Sequence, residues 1–158
     1  MQNGEANVSF KINGKEFYDR HNVFSGDVLV LDQVFRINLY DQFKSNFILS
    51  FEEKNKYIEK PYVRNIVSDN QIAGSVMAGK LADTLSSNTG IGYLLAEGIV
   101  EVKKCDAEKM QIKVKGNGAK FNSFNVPDKW EKIEAEIIIK KPRYIFEGVL
   151  PNEFYYVQ

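Results

Sequence analysis

Hydrophobic and polar residues alternate along most of the chain, which is the pattern of half-buried β-strands. Near the start, Asn13-Gly14 supplies the two positive-φ positions of a tight hairpin turn between two alternating segments. A two-residue turn places Phe10 opposite Phe17 on one face of the hairpin. The same register places Lys11 opposite Glu16 on the other face. The sequence therefore predicts a β-hairpin at the start of the chain.

Similar alternation recurs at short intervals further along the chain. Segments 27–33, 34–40 and 46–53 are predicted to form a meander, and segment 98–118 is predicted to form a second hairpin. Segment 53–74 is less regular and is consistent with one or two short strands. The strands predicted to complete the sheet lie in segments 132–141, 143–149 and 154–157.

These elements predict an all-β fold, either an antiparallel β-sandwich or a lipocalin-like barrel of about nine to eleven strands with at most one short helix. Aromatic residues make up 13% of the chain, and such residues suit a pleated, half-buried surface. A length of 158 residues fits one domain. We expect a single β domain over residues 1–158, with residues 1–7 as a flexible leader.

The segment Gly74 to Leu81 matches G-x-x-x-x-G-K, the start of a phosphate-binding loop. Leu81 stands where that loop needs a Ser or Thr hydroxyl for Mg²⁺, and no strand-to-helix pattern surrounds it. We therefore interpret the segment as a strand in which Gly74 and Gly79 mark bends, bulges or close backbone approach. Lys80 is expected to point to solvent. The long strand that follows is expected to bend at Gly98.

Charge and cysteine content exclude several classes of protein. The chain has 21 basic and 21 acidic residues, so no net positive field favours nucleic acid. One cysteine and one histidine leave no zinc-type spacing, and no apolar run is long enough for a membrane span. We predict no metal site, no cofactor and no nucleic-acid partner.

Catalytic groups are difficult to assign. Carboxylate pairs of the kind that glycosidases use occur at Glu52-Glu53, Glu97 with Glu101, and Glu134 with Glu136. Alternating acidic residues in strands also simply solvate the outer face, and we favour that interpretation. His21 is interpreted as a loop residue and Cys105 as a passive thiol at a hairpin tip. We assign no catalytic residue.

The loop of residues 116–130 interleaves aromatic and polar side chains, as a sugar- or peptide-binding surface does. The candidate ligand-binding residues are Phe121, Asn122, Phe124 and Trp130. In the alternative interpretation, the three aromatic side chains plug the open end of the β structure and Asn122 makes a local turn.

The segments "FKINGKEF", "SVMAGKL" and "GIGYLLAEGIVEVKK" with "MQIKVKGNG" resemble small β-rich hypothetical proteins and lipoproteins of Bacteroidota whose function is unknown. The resemblance implies a periplasmic or cell-surface protein whose signal has been removed. The N-terminus here carries no such signal, so a cytoplasmic location is the alternative. It implies no catalytic residue.

From these observations we expect a non-enzymatic, exported binding or interaction domain. Its partner would be a small molecule, a glycan or a protein. The alternative is a hydrolase that acts on glycans or lipids through a carboxylate pair. Nucleotide binding through Gly74 to Lys80 is disfavoured.

Overall fold

The computed structural model describes residues 1–19, 21–55, 57–83 and 86–157. These residues form twelve β-strands, one α-helix and two short 3₁₀ helices (Phe121–Ser123 and Pro127–Lys129). The elements are β1 (Glu5–Ile12), β2 (Lys15–Glu16), β3 (Phe24–Leu31), β4 (Val34–Tyr40), β5 (Asn46–Glu52), β6 (Tyr62–Ile66), β7 (Gly74–Asp83), β8 (Ser86–Cys105), β9 (Lys109–Lys120), β10 (Glu131–Lys140), β11 (Arg143–Glu147), α1 (Pro151–Phe154) and β12 (Tyr156–Val157).

Eight strands in the described part of the chain form a closed antiparallel barrel. Its order is β1-β3-β4-β5-β7-β8-β9-β10, and β10 pairs with β1 to complete the ring. The seam between β1 and β3 consists of two residue pairs, Glu5 with Ser25 and Ala6 with Phe24. The all-β prediction is confirmed. Of the two predicted architectures, sandwich and barrel, the structure is the barrel.

The first hairpin and the meander are as predicted. Lys11 pairs with Glu16, and the Phe17 N–H donates to Phe10 O at 2.8 Å. Strands β3, β4 and β5 are neighbours in that order. Residues 5–7 of the predicted leader belong to β1, which begins at Glu5, and the Gly4 N–H donates to Lys140 O.

The barrel interior is filled with side chains. In β10, Ile133, Ala135, Ile137 and Ile139 point inward as predicted, and they are buried with their counterparts on every wall. Eight-stranded barrels have an interior that side chains can just fill. Near Phe154 a gap of about 10 Å³ remains, which is room for about one water molecule. The packed interior directs attention to the outer surface and to the two ends.

Aromatic clusters close both ends of the barrel. At the end that we call the mouth, Phe17 and Tyr18 cross from β2 towards β3 and pack edge-to-face on Phe10, Tyr93 and Phe24. The opposite end, the base, is closed by Phe154 of α1. Its ring is 1% exposed and contacts six other aromatic rings: those of Phe35, Tyr57, Tyr62, Tyr144, Phe146 and Tyr155.

Two details of the strands differ from the expectation. Strand β11 pairs with β3 in parallel. It follows the C-terminal end of β10 and then runs beside β3 in the same direction. In β8 the pairing with β9 is irregular at Ala96 and at Lys103, not at Gly98. The register with β9 shifts between Leu95 and Glu97, which leaves Ala96 as an extra buried residue. Such an extra residue bends a strand without requiring a glycine.

The closure of the base predicts a large stability effect at Phe154. Phe154→Ala should lower the free energy of unfolding by about 3–5 kcal/mol, because a buried aromatic ring is removed from a packed cluster. Leu150→Ala, three residues earlier at a side chain that is 63% exposed, should change it by less than about 0.5 kcal/mol. Urea denaturation measures both. Equal effects in the two variants would contradict the assigned role of Phe154.

Candidate functional site

A polar cleft opens at the mouth of the barrel. It is bounded by residues 16–19 and Asn22, by Phe43 and Ser45, and by residues 80–82, and its volume is about 420 Å³. We call it the mouth cleft. Ligand sites often occur at the mouths of β-barrels and have volumes in this range. Its floor is the aromatic cluster that closes the mouth.

Lys80 lies in the mouth cleft and does not point freely to solvent, so that expectation is wrong. It follows Val76 and Ala78 on the inward face of β7, where the strand reaches the mouth. The Lys80 Nζ donates to Phe17 O at 2.5 Å and lies 4.6 Å from the centre of the Phe17 ring. A cation over an aromatic face is attracted to it. Lys80 therefore fixes the aromatic floor and places one positive charge in the cleft.

The rim beside Lys80 is held by Asp41 in the loop between β4 and β5, since Asn46 at the start of β5 pairs with Gly79. Asp41 Oδ1 accepts from the backbone N–H groups of Phe43 (2.9 Å) and Ser45 (2.7 Å). Its Oδ2 accepts from Asn22 Nδ2 at 2.5 Å. These bonds fix the loop and the Asn22 side chain together, and they hold the backbone of Phe43, a residue that is 42% exposed at the rim.

Asn22 is left with one unused acceptor. Its Oδ1 is buried, and no described residue donates a hydrogen bond to it. A buried polar atom without a partner costs free energy, so such atoms usually mark a place where a donor is expected.

Tyr18 supports the floor as a neutral group. Its hydroxyl donates to Asn46 O. Burial raises the pKa of Tyr18 well above its ordinary value, since the charged form would be poorly solvated there. Tyr18 therefore adds no charge to the mouth cleft.

A second depression lies on the outer wall. It is formed by residues 77–81, 90–92, Lys44, Asn46 and Phe121, and its volume is about 340 Å³. We call it the glycine groove, because Gly79 pairs with Gly92 and Leu81 with Gly90 across β7 and β8. The Phe121 ring lies on Gly92, where a Cβ would come within 2.4 Å of Phe121 Cε2. The groove and the mouth cleft meet at Lys80 and Leu81.

Of the four predicted binding residues, the structure places Phe121 alone in the described lining of this groove. Asn122 is exposed, and its Oδ1 accepts from Ser123 Oγ. The Trp130 indole N–H donates to Phe124 O at 2.9 Å, which latches the loop across its two 3₁₀ helices. The structure thus does not bring the four side chains together. Phe121 packs on the outer wall, so it does not plug the open end of the barrel.

The residues of the phosphate-loop match lie in a strand. Residues 74–79 pair with β5 in continuous register, and their backbone groups do not converge on an anion. Gly74 and Gly79 were expected to mark bends, bulges or close backbone approach, and the structure shows neighbouring side chains packed closely against both backbones. A Cβ on Gly74 would lie 2.7 Å from Ile66 Cδ1, and one on Gly79 would lie 2.4 Å from Asn46 Oδ1.

The predicted carboxylate pairs have partners of other kinds. Glu53 forms a bidentate ion pair with Arg64, with both N–O distances at 2.9 Å. Lys132 and Lys113 lie 2.8 and 3.7 Å from the carboxylates of Glu134 and Glu136. Glu101 pairs with Lys103, and Glu97 accepts from Asn117. His21 is exposed in its loop, as expected.

The sequence analysis missed the mouth cleft. One usable signal was the alternation of side chains along β7. Lys80 lies an even number of residues after Val76 and Ala78, so its side chain leaves the strand on the same inward face. Asn22 and Asp41 carried no such signal, since their pairing depends on how distant strand ends meet.

Comparisons with protein-family models, with curated proteins and with solved structures gave no significant match. In the described part of the chain, no helix is long and apolar enough to cross a membrane.

Cys105 is the last residue of β8, next to the turn of the β8–β9 hairpin as predicted, and it is buried, with its thiol 3.4 Å from Phe154 O. Burial raises the pKa of Cys105 to about 12. Since the thiolate is the reactive form, a thiol reagent at pH 8 should modify the native protein at least about a hundredfold more slowly than the urea-unfolded protein. In the Cys105→Ser/Ala107→Cys variant, the exposed thiol should react rapidly in the native state. Equal native rates for the two proteins would contradict this burial.

Proposed function

We propose that this protein is a non-enzymatic binding domain that takes a small polar ligand in the mouth cleft. The single observation that carries the proposal is the polar cleft of about 420 Å³ at the mouth, in which Lys80 is held on an aromatic floor. A fixed rim supports it, because a site that is held in shape before binding loses less entropy on binding. The glycine groove with Phe121 is a second candidate contact surface, continuous with the first.

Hydrolysis of glycans or lipids receives less support. Among the pairs predicted from the sequence, Glu53, Glu101, Glu134 and Glu136 each have a basic partner. Among the described residues, the acidic residues that line the mouth cleft are Glu16 and Asp19, and Glu16 accepts from Ser9 Oγ at 2.5 Å. Paired carboxylates also bind sugars and amines without cleaving them. A binding role therefore needs fewer assumptions.

We also propose that the protein acts in the periplasm or at the cell surface, on the resemblance to Bacteroidota proteins of that kind. Fractionation of the native host, followed by immunodetection, should place the protein in the periplasmic or envelope fraction. Detection in the cytosol alone would contradict an exported role.

A blocking substitution tests the site. Ala82 is exposed at the edge of the mouth cleft, so Ala82→Trp should fill the cleft and leave the fold intact. We expect at least one of three probes, neutral inositol, anionic citrate or cationic spermidine, to shift amide NMR signals of residues 16–22 and 43–45 in the wild type. The shifts should be lost in Ala82→Trp.

Ala107→Trp is the matched control, because Ala107 is exposed in the turn between β8 and β9 at the opposite end of the barrel. It should respond to the probes as the wild type does. The site assignment fails if no probe shifts the mouth-cleft signals, or if Ala82→Trp responds like the control.

A further inference from the structure

The edge of β7 that borders the mouth cleft has no partner strand. Gly79 is the last residue of β7 that pairs with β5, where it stands opposite Asn46. Leu81, two residues further on, still pairs with Gly90 of β8. On its other side, no described strand pairs with it. The pairing with β8 becomes irregular just beyond Leu81, so the regular part of this unpaired edge is short.

The loop before β5 explains why the edge is unpaired. Continued in the same register, β5 would have placed Lys44 opposite Leu81. Lys44 instead has a φ of 63° and turns the chain away. The Ser45 N–H donates to Asp41 Oδ1 at 2.7 Å, and Ser45 O accepts from the Asp41 N–H at 3.2 Å. These bonds keep the loop closed, so β5 does not extend along the end of β7.

The backbone groups of Leu81 point towards the unpaired side. The Lys80 carbonyl lies between β7 and β8, because a Cβ on Gly90 would come within 3.8 Å of it. Backbone groups of successive strand residues point to opposite neighbours, so the Leu81 N–H and C=O face away from β8. Leu81 lines the mouth cleft, and no described residue hydrogen-bonds to either group. One donor and one acceptor thus stand side by side at a free strand edge.

The two surface depressions lie on opposite faces of this edge. Lys80 and Ala82 belong to the inward face of β7 and line the mouth cleft. Met77 and Gly79 belong to the outward face and line the glycine groove. Successive side chains of a strand point to opposite faces of a sheet. A strand added beside Leu81 would therefore place one side chain in the cleft and the next in the groove.

The edge is also recessed. The cleft that it borders is lined by residues 16–19, Phe43 and Ser45 as well as by β7. Two copies of this chain would be held apart by these residues before their Leu81 edges met. A single extended segment of chain is narrow enough to enter.

We infer that the mouth cleft binds an extended polypeptide segment of a partner protein, which adds as a short strand beside Leu81. One residue of the segment exchanges both backbone hydrogen bonds with Leu81, and its neighbours place their side chains in the cleft and the glycine groove. A peptide backbone carries the matching acceptor and donor at this spacing. This inference rests on the proposed binding function and names the class of ligand for the same site.

The test compares peptides that differ in their backbone donors. Three acetylated and amidated pentapeptides, in which leucine alternates with threonine, lysine or glutamate, are titrated into the labelled full chain and followed by amide NMR. At least one should shift the signals of residues 80–82 with a dissociation constant of about millimolar or tighter. Its counterpart with every internal amide N-methylated keeps the side chains but cannot donate. The methylated peptide should bind at least about tenfold more weakly.

Two substitutions at one position separate the backbone from the side chain. Leu81→Ala removes the side chain and keeps the N–H, whereas Leu81→Pro removes both. Because the Leu81 N–H faces away from β8, proline there leaves the ladder between β7 and β8 intact. Leu81→Pro should bind the best peptide at least about fivefold more weakly than Leu81→Ala does. Ala107→Trp, at the opposite end of the barrel, should bind it as the wild type does. Melting curves check that each variant is folded.

Hydrogen exchange gives a second readout. With the peptide at saturation, the Leu81 amide should exchange at least about fivefold more slowly, because it has gained a hydrogen-bond partner. The Lys80 amide faces β8 with or without peptide, so its exchange rate should change by less than about twofold.

The outcomes distinguish the two proposals. Equal affinity for the methylated and unmethylated peptides would overturn the backbone pairing and leave the binding function standing. So would cleft signals that respond to inositol, citrate or spermidine but to no peptide. If no probe of any class shifts them, both proposals fail. Concentration-dependent shifts at Leu81 in the chain alone would assign the edge to a second copy and overturn the assignment to a partner segment. Peptide shifts confined to β11 would overturn the location.

Discussion

Closing an eight-stranded sheet on itself removes its edges but leaves two open ends, and the rest of this structure depends on how those ends are sealed. The base is sealed by Phe154 from the C-terminal helix, surrounded by other aromatic rings. The mouth is sealed by Phe17 and Tyr18, which cross between the opposite walls. Side chains fill the space between, so the interior holds no large ligand chamber in the described residues.

The seal at the mouth also creates the candidate site. Because Phe17 blocks entry to the interior, the concave space above it becomes a shallow polar cleft instead of a deep apolar one. The Lys80 ammonium group lies over the Phe17 ring, and Asp41 holds the rim by accepting hydrogen bonds from its backbone. The same contacts that close the barrel therefore set the charge and hydrogen-bonding pattern that a ligand would meet.

Local patterns in the sequence predicted most of the wall. Asn13-Gly14 fixed one turn, and strict alternation in β10 fixed which side chains face inward, because both are short-range steric effects. The parallel pairing of β11 was not predictable in this way, since strand direction depends on where the preceding strand ends. The candidate site could be predicted only in part. Phe121 was singled out and does line a groove, but Asn22 meets Asp41 only after the strands between them have paired.

The pairing of β1 with β10 has a consequence for biosynthesis. Strand β1 has its longest pairing with β10, which is made much later, and Phe154 emerges later still. Contacts between such distant segments form slowly, since a long loop must be closed before they stabilise anything. During translation the edge of β1 that pairs with β10 therefore stays exposed, although the β1–β2 hairpin and the β3–β4–β5 meander can form from neighbouring segments. Closure of the barrel becomes a late event, completed only after β10 and α1 have left the ribosome.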